Sequence, residues 1–285
     1  MRSRWIRRVL IGVLVVAALA LVGVAFAERT HEGDPVAVTP TTSGTGDQVT
    51  TGATEPAPTD PPTTTAAPTT TAAPFDGWVD PAGSGQPWGD TVEGLLTFRG
   101  NPTRSYYGRG PVPTAPEVLW TFPDGGSLCS TSSVGGEARQ WCGTGWTGQP
   151  SVFERDGATW VAFGAYSSAV HFLDADTGER LLPDFDTGDI IKGSVTIDPD
   201  GYPLLYTGSR DNFFRVIAFD RDVPTELWSL SADAVSPTLW NNDWDGSALI
   251  IDDYLFEGGE NSQIHIVKLN RAYDENGLVT VDPEL

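Results

Sequence analysis

Three segments in the second half of the chain share one internal grammar. The first runs GQPSVFERDGATWVAFGAYSSAVHFLDADTGERLL from Gly148. The second runs KGSVTIDPDGYPLLYTGSRDNFFRVIAFDRDVPTELW from Lys192. The third runs VSPTLWNNDWDGSALIIDDYLFEGGENSQIHIVKLNRAYDENGLV from Val235. The equivalent opening positions Pro150, Ser194 and Pro237 are 44 and 43 residues apart. Each copy starts with a short strand (PSVFE, SVTID, PTLWN) and turns at RDG, DPDG or NDWDG. A second apolar strand follows (TWVAFGA, PLLYTGS, ALIIDDYLF), then a third (AVHFLDA, FRVIAFD, QIHIVKLN). An acidic or polar turn leads to a fourth strand ending RLL, ELW or LVTV. Four short β-rich runs per period, bounded by Gly, Asp and Asn, predict an all-β fold, a β-propeller with four-stranded blades. No helical period is visible after residue 27. Three blades and a leader strand do not close a ring, because propellers take ~4–8 blades and open ones expose strand edges. The expectation is therefore an incomplete propeller within a longer chain; assembly with further copies is the alternative.

Leu173-Asp174-Ala175-Asp176-Thr177-Gly178 resembles the A-x-D-x-x-T-G-x-x-x-W motif of the quinoprotein-type, pyrroloquinoline-quinone-like propeller repeats, with Leu182 where Trp is usual. Ala218-Phe219-Asp220 through Leu227-Trp228 keeps the ends and the Trp but rewrites the turn, and Leu269-Asn270 is a degenerate third copy. The segment LLTFRGNPTRSYYGRGPVPTAPEVLWTF, residues 95–122, is similar to the leader of the bacterial, membrane-anchored members, whose final Trp-bearing strand completes a distant blade. The resemblance spans about residues 95–285. It implies a quinone at the propeller axis beside a Ca²⁺ held by Glu, Asn and Asp, with a ring disulfide between neighbouring cysteines. Cys129 and Cys142 are not adjacent, and no residue matches the calcium or base positions, so pyrroloquinoline quinone is not expected here. The motif residues also have a physical reason of their own. Asp at a turn start accepts hydrogen bonds from the next amides, Gly supplies φ > 0, and a Trp such as Trp120 or Trp228 wedges its ring between blades.

The N-terminus predicts where such a domain sits. Residues 1–8, MRSRWIRR, are basic and cytoplasmic in this reading. Residues 9–27 carry no charge over 19 positions, close to the ~20 of a single-pass transmembrane helix. A signal-anchor with an extracellular domain follows; the alternative is a cleaved signal peptide, since Ala25-Phe26-Ala27 fits a cleavage site. Residues 28–74 form a Thr/Pro-rich linker, and the 14 Thr and 7 Pro of residues 39–74 leave nothing to bury, so it is read as a disordered stalk. Residues 75–285 are the folded domain, with 12 of the 17 basic and 32 of the 38 acidic residues, a net charge of −20. That charge excludes nucleic acid as a partner and suits solubility outside the cell or cation binding. In an oxidising compartment Cys129 and Cys142 are expected to form a disulfide across their glycine-rich loop, worth ~3 kcal/mol.

Asn241, Asp243, Asp245 and Asp252 fit positions 1, 3, 5 and 12 of a calcium loop, with Gly246 at the turn, though no helices flank them. A plain β-turn is the competing reading. Trp240, Trp244, Glu257 and Glu260 combine flat aromatic faces with carboxylates, as a glycan-binding face would; paired carboxylates also serve glycoside chemistry. His171 and His265 occupy matching places in third strands and are read as packed residues. Esterase, NTPase, zincin and dinucleotide motifs do not occur. The expected function is a membrane-tethered binding or scaffolding module for a protein or glycan ligand. The alternative is an extracellular enzyme, glycan-active or quinone-dependent.

Overall fold

The computed structural model describes Gly77 and residues 80–285, apart from 135, 146 and 147. The basic segment, the predicted membrane span and the Thr/Pro linker lie outside the described residues. Among those described there is no α-helix, only two short 3₁₀ turns and a set of antiparallel strands, and no helix is long and apolar enough to cross a membrane.

The strands are β1 (Gly94–Leu95), β2 (Cys129–Val134), β3 (Glu137–Cys142), β4 (Ser151–Arg155), β5 (Ala158–Ala165), β6 (Ala169–Asp174), β7 (Phe185–Asp186) and β8 (Thr196–Ile197). They continue with β9 (Leu204–Gly208), β10 (Phe213–Ala218), β11 (Thr225–Ser231), β12 (Leu249–Ile251), β13 (Tyr254–Gly259), β14 (Gln263–Lys268), β15 (Ala272–Tyr273) and β16 (Val279–Thr280). Three larger sheets form in succession, ordered β1-β4-β5-β6-β7, then β8-β9-β10-β11, then β12-β13-β14. None is closed on itself. Two further hairpins, β2-β3 and β15-β16, stand apart.

The ladders place the three copies in one register. Ser151, Thr196 and Leu249 are equivalent, because they pair with Ala162, Tyr206 and Phe256 at matching distances from Gly164, Gly208 and Gly258. Those glycines in turn pair with Val170, Phe214 and Ile264. The turn between second and third strand repeats as well, with positive φ at Ser168, Asn212 and Ser262 (61°, 76° and 67°). The third copy corrects the sequence reading. PTLWN forms no strand; the run ALIIDDYLF instead splits into β12 and β13 around an Asp252-Asp253 turn with φ of 50° and 68°. The cause is a longer connection between the second and third sheets, which holds the 3₁₀ turn Ala232–Ala234. LVTV is also displaced: β16 pairs with β15 rather than β14, because Asp274 Oδ1 accepts the amides of Asn276 and Leu278, each at 2.9 Å, and folds this segment into its own hairpin.

Alternate residues of each third strand face opposite ways. Val170 and Phe172 join the main core with Val195, Ile197 and Phe219. His171 and Leu173 face the leader side, where Phe122 lies edge-on to His171 at 5.1 Å. One sheet later Phe214 meets Trp244 at 5.7 Å, and Trp244 meets His265 of the third sheet at 4.8 Å. The close approach depends on glycine. A Cβ on Gly164 would overlap Ile191, and one on Gly208 would overlap Trp244, so each second strand receives the segment that leads into the next sheet.

The leader ties the three opening strands together. Leu95 pairs with Val152, Leu96 O accepts from Ile197 N at 2.8 Å, and the hydroxyls of Thr97 and Thr196 lie 2.9 Å apart. Thr196 Oγ1 donates to Ala248 O (2.9 Å) and Arg104 donates to Ser247 O (2.7 Å). The motif DADTG forms the expected turn: Asp174 Oδ1 accepts from the amides of Asp176 and Thr177 and from Thr177 Oγ1 at 2.9–3.0 Å, and Gly178 has φ 73°. Residues 118–122 lie alongside that turn without a ladder; Trp120 Nε1 donates to Ala175 O (2.8 Å) and its ring covers Gly178. Asp220 does not cap its own turn but accepts the amide of Val279 (2.6 Å), and Trp228 packs half-buried on the core.

Candidate functional site

The predicted calcium loop is divided by the fold. Asp243 and Asp245 lie in the connection entering the third sheet, and Glu260 in the β13-β14 turn; their carboxylate oxygens fall within 4.8 Å of one another. Asn241 joins them indirectly, donating from Nδ2 to Glu260 Oε2 at 2.6 Å. Asp252 does not join them, because β12 intervenes and carries it into the β12-β13 turn. Two cations already face the cluster. Lys192 Nζ lies 2.5 Å from Asp245 Oδ2 and 3.2 Å from Asp243 Oδ2, and Arg210 Nε lies 2.6 Å from Asp243 Oδ2. Arg210 also donates to Ser132 Oγ and Ser133 O, which holds the β2-β3 hairpin against the cluster. Burial pushes Asp245 upward, with Glu260 and Asp243 adding to it against the pull of Lys192. Burial acts to lower Lys192, but Asp245 and then Asp243 outweigh it and raise its pKa. The arrangement is an ion-pair network with an ammonium at its centre. Asp245 Oδ1 is its one buried oxygen without a hydrogen bond among the described residues.

The expected glycan-binding face does not form one surface. Trp240 is 82% exposed, but Trp244 is buried between the second and third sheets and Glu257 is buried on β13. Period-2 alternation puts Glu257 on the inward side, facing Gly246. It accepts no hydrogen bond among the described residues; burial pushes its pKa up to about 8, against a smaller downward pull from Arg104. Cys129 and Cys142 form the disulfide (S–S 2.04 Å), on opposed positions of a six-pair hairpin. The segment is a paired hairpin rather than the glycine-rich loop its sequence predicts, because its Ser and Gly content hides the alternation.

One constellation escaped sequence reasoning. Ser167 Oγ lies 2.8 Å from His171 Nε2, and His171 Nδ1 lies 2.9 Å from Asp184 Oδ1, although the N–H direction does not align with that oxygen. Burial keeps His171 below the usual histidine value despite Asp184. The spacing is that of a nucleophile, base and acid. The other sheets show what it does here. Asp211 and Arg215 hold the equivalent positions in the second sheet, with Glu226 as the third member (2.9 Å from Arg215 Nε), and Asn261 and His265 hold them in the third (3.3 Å). A contact that recurs with non-nucleophilic partners is a brace between turn and outer strands. The signal for it was the i, i+4 polar pair in each copy, visible only once the register is known.

A cavity of about 310 Å³ opens between the leader and the turns β8-β9 and β12-β13. Its wall carries Asp80, Asp90, Asp200 and Asp252 beside Thr91 and Asn101. Asn101 is buried and braces the wall, donating to Gly83 O and Gln86 O and accepting from Ser105 N. Of the four carboxylates only Asp200 has a cationic partner among the described residues, Arg271 at 2.8 Å. Arg271 also binds Asp198 (2.8 Å) and Asp253 (2.7 Å), and so locks the two turns that form one side of the cavity. Such a volume and wall suit a small cationic or polyhydroxylated group. No family model and no curated protein matches the sequence.

Proposed function

We propose that this chain is a membrane-tethered, extracellular, propeller-type binding module, and that its carboxylate-lined cavity receives the basic side chain of a protein ligand. The recurring contacts from sheet to sheet support successive blades around a common axis. In that architecture β4, β8 and β12 are the inner strands, and residues 94–104 run along all three. The axis, where the resemblance implies a quinone, is then filled by peptide. The uncharged segment 9–27 and the disulfide both suit export with a retained anchor.

The observation that carries the ligand reading is the cavity itself: four carboxylates on its wall and one cation against them. A Lys or Arg side chain would restore that balance, and the domain's net negative charge would speed its approach. The test is binding of the full-length chain to arrays of peptides of graded charge and to a glycan array. Basic peptides should bind, more weakly as salt rises and in the Asp90→Asn/Asp252→Asn variant. Binding to neutral glycans that ignores both changes would replace this reading with sugar recognition.

A further inference from the structure

Two backbones meet without a side chain between them where the second and third sheets begin. A Cβ on Gly193 would lie 2.4 Å from Gly246 O and 2.9 Å from Asp245 C, so only glycine allows the approach. The third-sheet side of this contact is held from both ends. Trp244 is 1% exposed and closes on Gly208, while Asn241 N donates to Glu260 O and Glu260 N to Asp243 O, both at 3.2 Å. Lys192 and Asp245 flank the contact. Their Nζ and Oδ2 lie 2.5 Å apart, with the two side chains 18% and 26% exposed.

Asp245 differs from the other two carboxylates of the network. Asp243 Oδ2 receives Arg210 Nε at 2.6 Å, and Glu260 Oε2 receives Asn241 Nδ2 at 2.6 Å. Asp245 has only Lys192 as a cationic partner among the described residues, and its Oδ1 is buried without a hydrogen bond. A carboxylate oxygen left so costs more than a neutral amide oxygen in the same place.

The geometry points to a covalent modification: Lys192 and Asp245 condense to an isopeptide bond between the second and third sheets. Nζ bonds to Asp245 Cγ, one bond beyond the oxygen it already touches, and the Cγ–Oδ2 bond breaks. Of the three ammonium hydrogens, one stays on the amide nitrogen and two leave on Oδ2 as water. Charge balances, and no oxidant or activated co-reactant is consumed. The reacting form, a neutral amine beside a neutral acid, holds the same protons as the ion pair. Burial raises Asp245 against the pull of Lys192, which favours its acid form. Lys192 is raised as well, so its proton passes within the network rather than to solvent, and Asp243 Oδ2 at 3.2 Å is placed to relay it. In dilute water the separate ions prevail. Groups held in place react at effective molarities of ~10⁵–10⁸ M, and the glycine contact supplies that positioning. Residues 192–245 then form a closed ring that contains the whole second sheet, β8 to β11. Such a cross-link restricts the unfolded chain as a disulfide does.

The inference is independent of the ligand reading and of how the sheets are arranged about an axis. The experiment is peptide mass spectrometry of the full-length chain, reduced, denatured and digested with trypsin. Trypsin does not cut after an acylated lysine. Residues 181–210 should therefore appear joined to residues 222–268, lighter by one water than the two peptides together. Fragmentation should place the link at Lys192 and Asp245. Lys192→Arg keeps the cation but cannot condense, and Asp245→Ala lacks the carboxyl; both should lose the joined species. The wild-type measurement stands even if a variant fails to fold. Complete cleavage after Lys192 in the wild type, with no joined peptide, overturns the proposal and leaves an ion pair. A link to Asp243 or Glu260 instead overturns the assignment to Asp245.

Discussion

Glu257 should make this domain less stable as the pH rises through neutrality. It sits on β13 with 4% of its surface exposed, and its pKa is pushed up to about 8 from 4.5, by burial first. The folded state therefore keeps a proton that the unfolded chain has released, so stability is full below the unfolded value and declines as pH rises toward the folded one. At 1.36 kcal/mol per unit, the loss is ~3 kcal/mol at pH 7 and ~5 kcal/mol above pH 9. Other groups tilt the same curve. Asp198 and Asp245 are raised and add to the decline, while the lowered His171 and His265 oppose it, since they favour the fold as pH rises past the usual histidine range. The difference between wild type and Glu257→Gln isolates the one carboxyl. Gln keeps its shape and its lack of a partner but cannot ionise. The assay is urea unfolding of the full-length chain from pH 4.5 to 9. The two proteins should be near equal at pH 4.5, with the variant ahead by ~3 kcal/mol at pH 7. Parallel curves, or a wild type that gains on the variant with pH, would refute the reasoning.

Glycine contacts between sheets predict a graded series: Gly164→Ala and Gly208→Ala should each cost about 1–3 kcal/mol or more, because Ile191 and Trp244 occupy the space, while Gly258→Ala is near neutral in the isolated chain. Arg271→Ala should lower the urea midpoint by the equivalent of ~3–5 kcal/mol by leaving buried Asp198 uncompensated, and adding Asp198→Asn should recover much of it. Reduction, or Cys129→Ser/Cys142→Ser, should cost ~3 kcal/mol in the chain-entropy account, read as equal shifts in midpoint. Calcium or chelator should leave the melting temperature of the wild type unchanged, since Lys192 already sits between Asp243 and Asp245; a rise with calcium would restore a metal role for the 241–252 segment.

Local chemistry was legible in the residues themselves. DADTG had to turn, because Asp174 has three donors within reach in sequence and Gly178 accepts a positive φ. Strand alternation, the all-β class and the pairing of the only two cysteines followed from patterns a few residues long. What failed needed distance. An insertion between the second and third sheets moved the third opening strand from PTLWN to Leu249–Ile251, because burial of Ile250 and Leu255 outweighed the apparent spacing. Asp252 was separated from Asp243 and Asp245 by β12, and Lys192, 51 residues upstream, came to face Asp243. Trp244 was placed by the packing of its connection on Gly208, and Glu257 by which side of β13 turned inward; hydrophobic burial acts between segments that sequence order does not bring together. Turn chemistry is decided within a few bonds and so can be read from the chain. Partner choice among charged and aromatic side chains is decided by packing, and only the folded arrangement sets it.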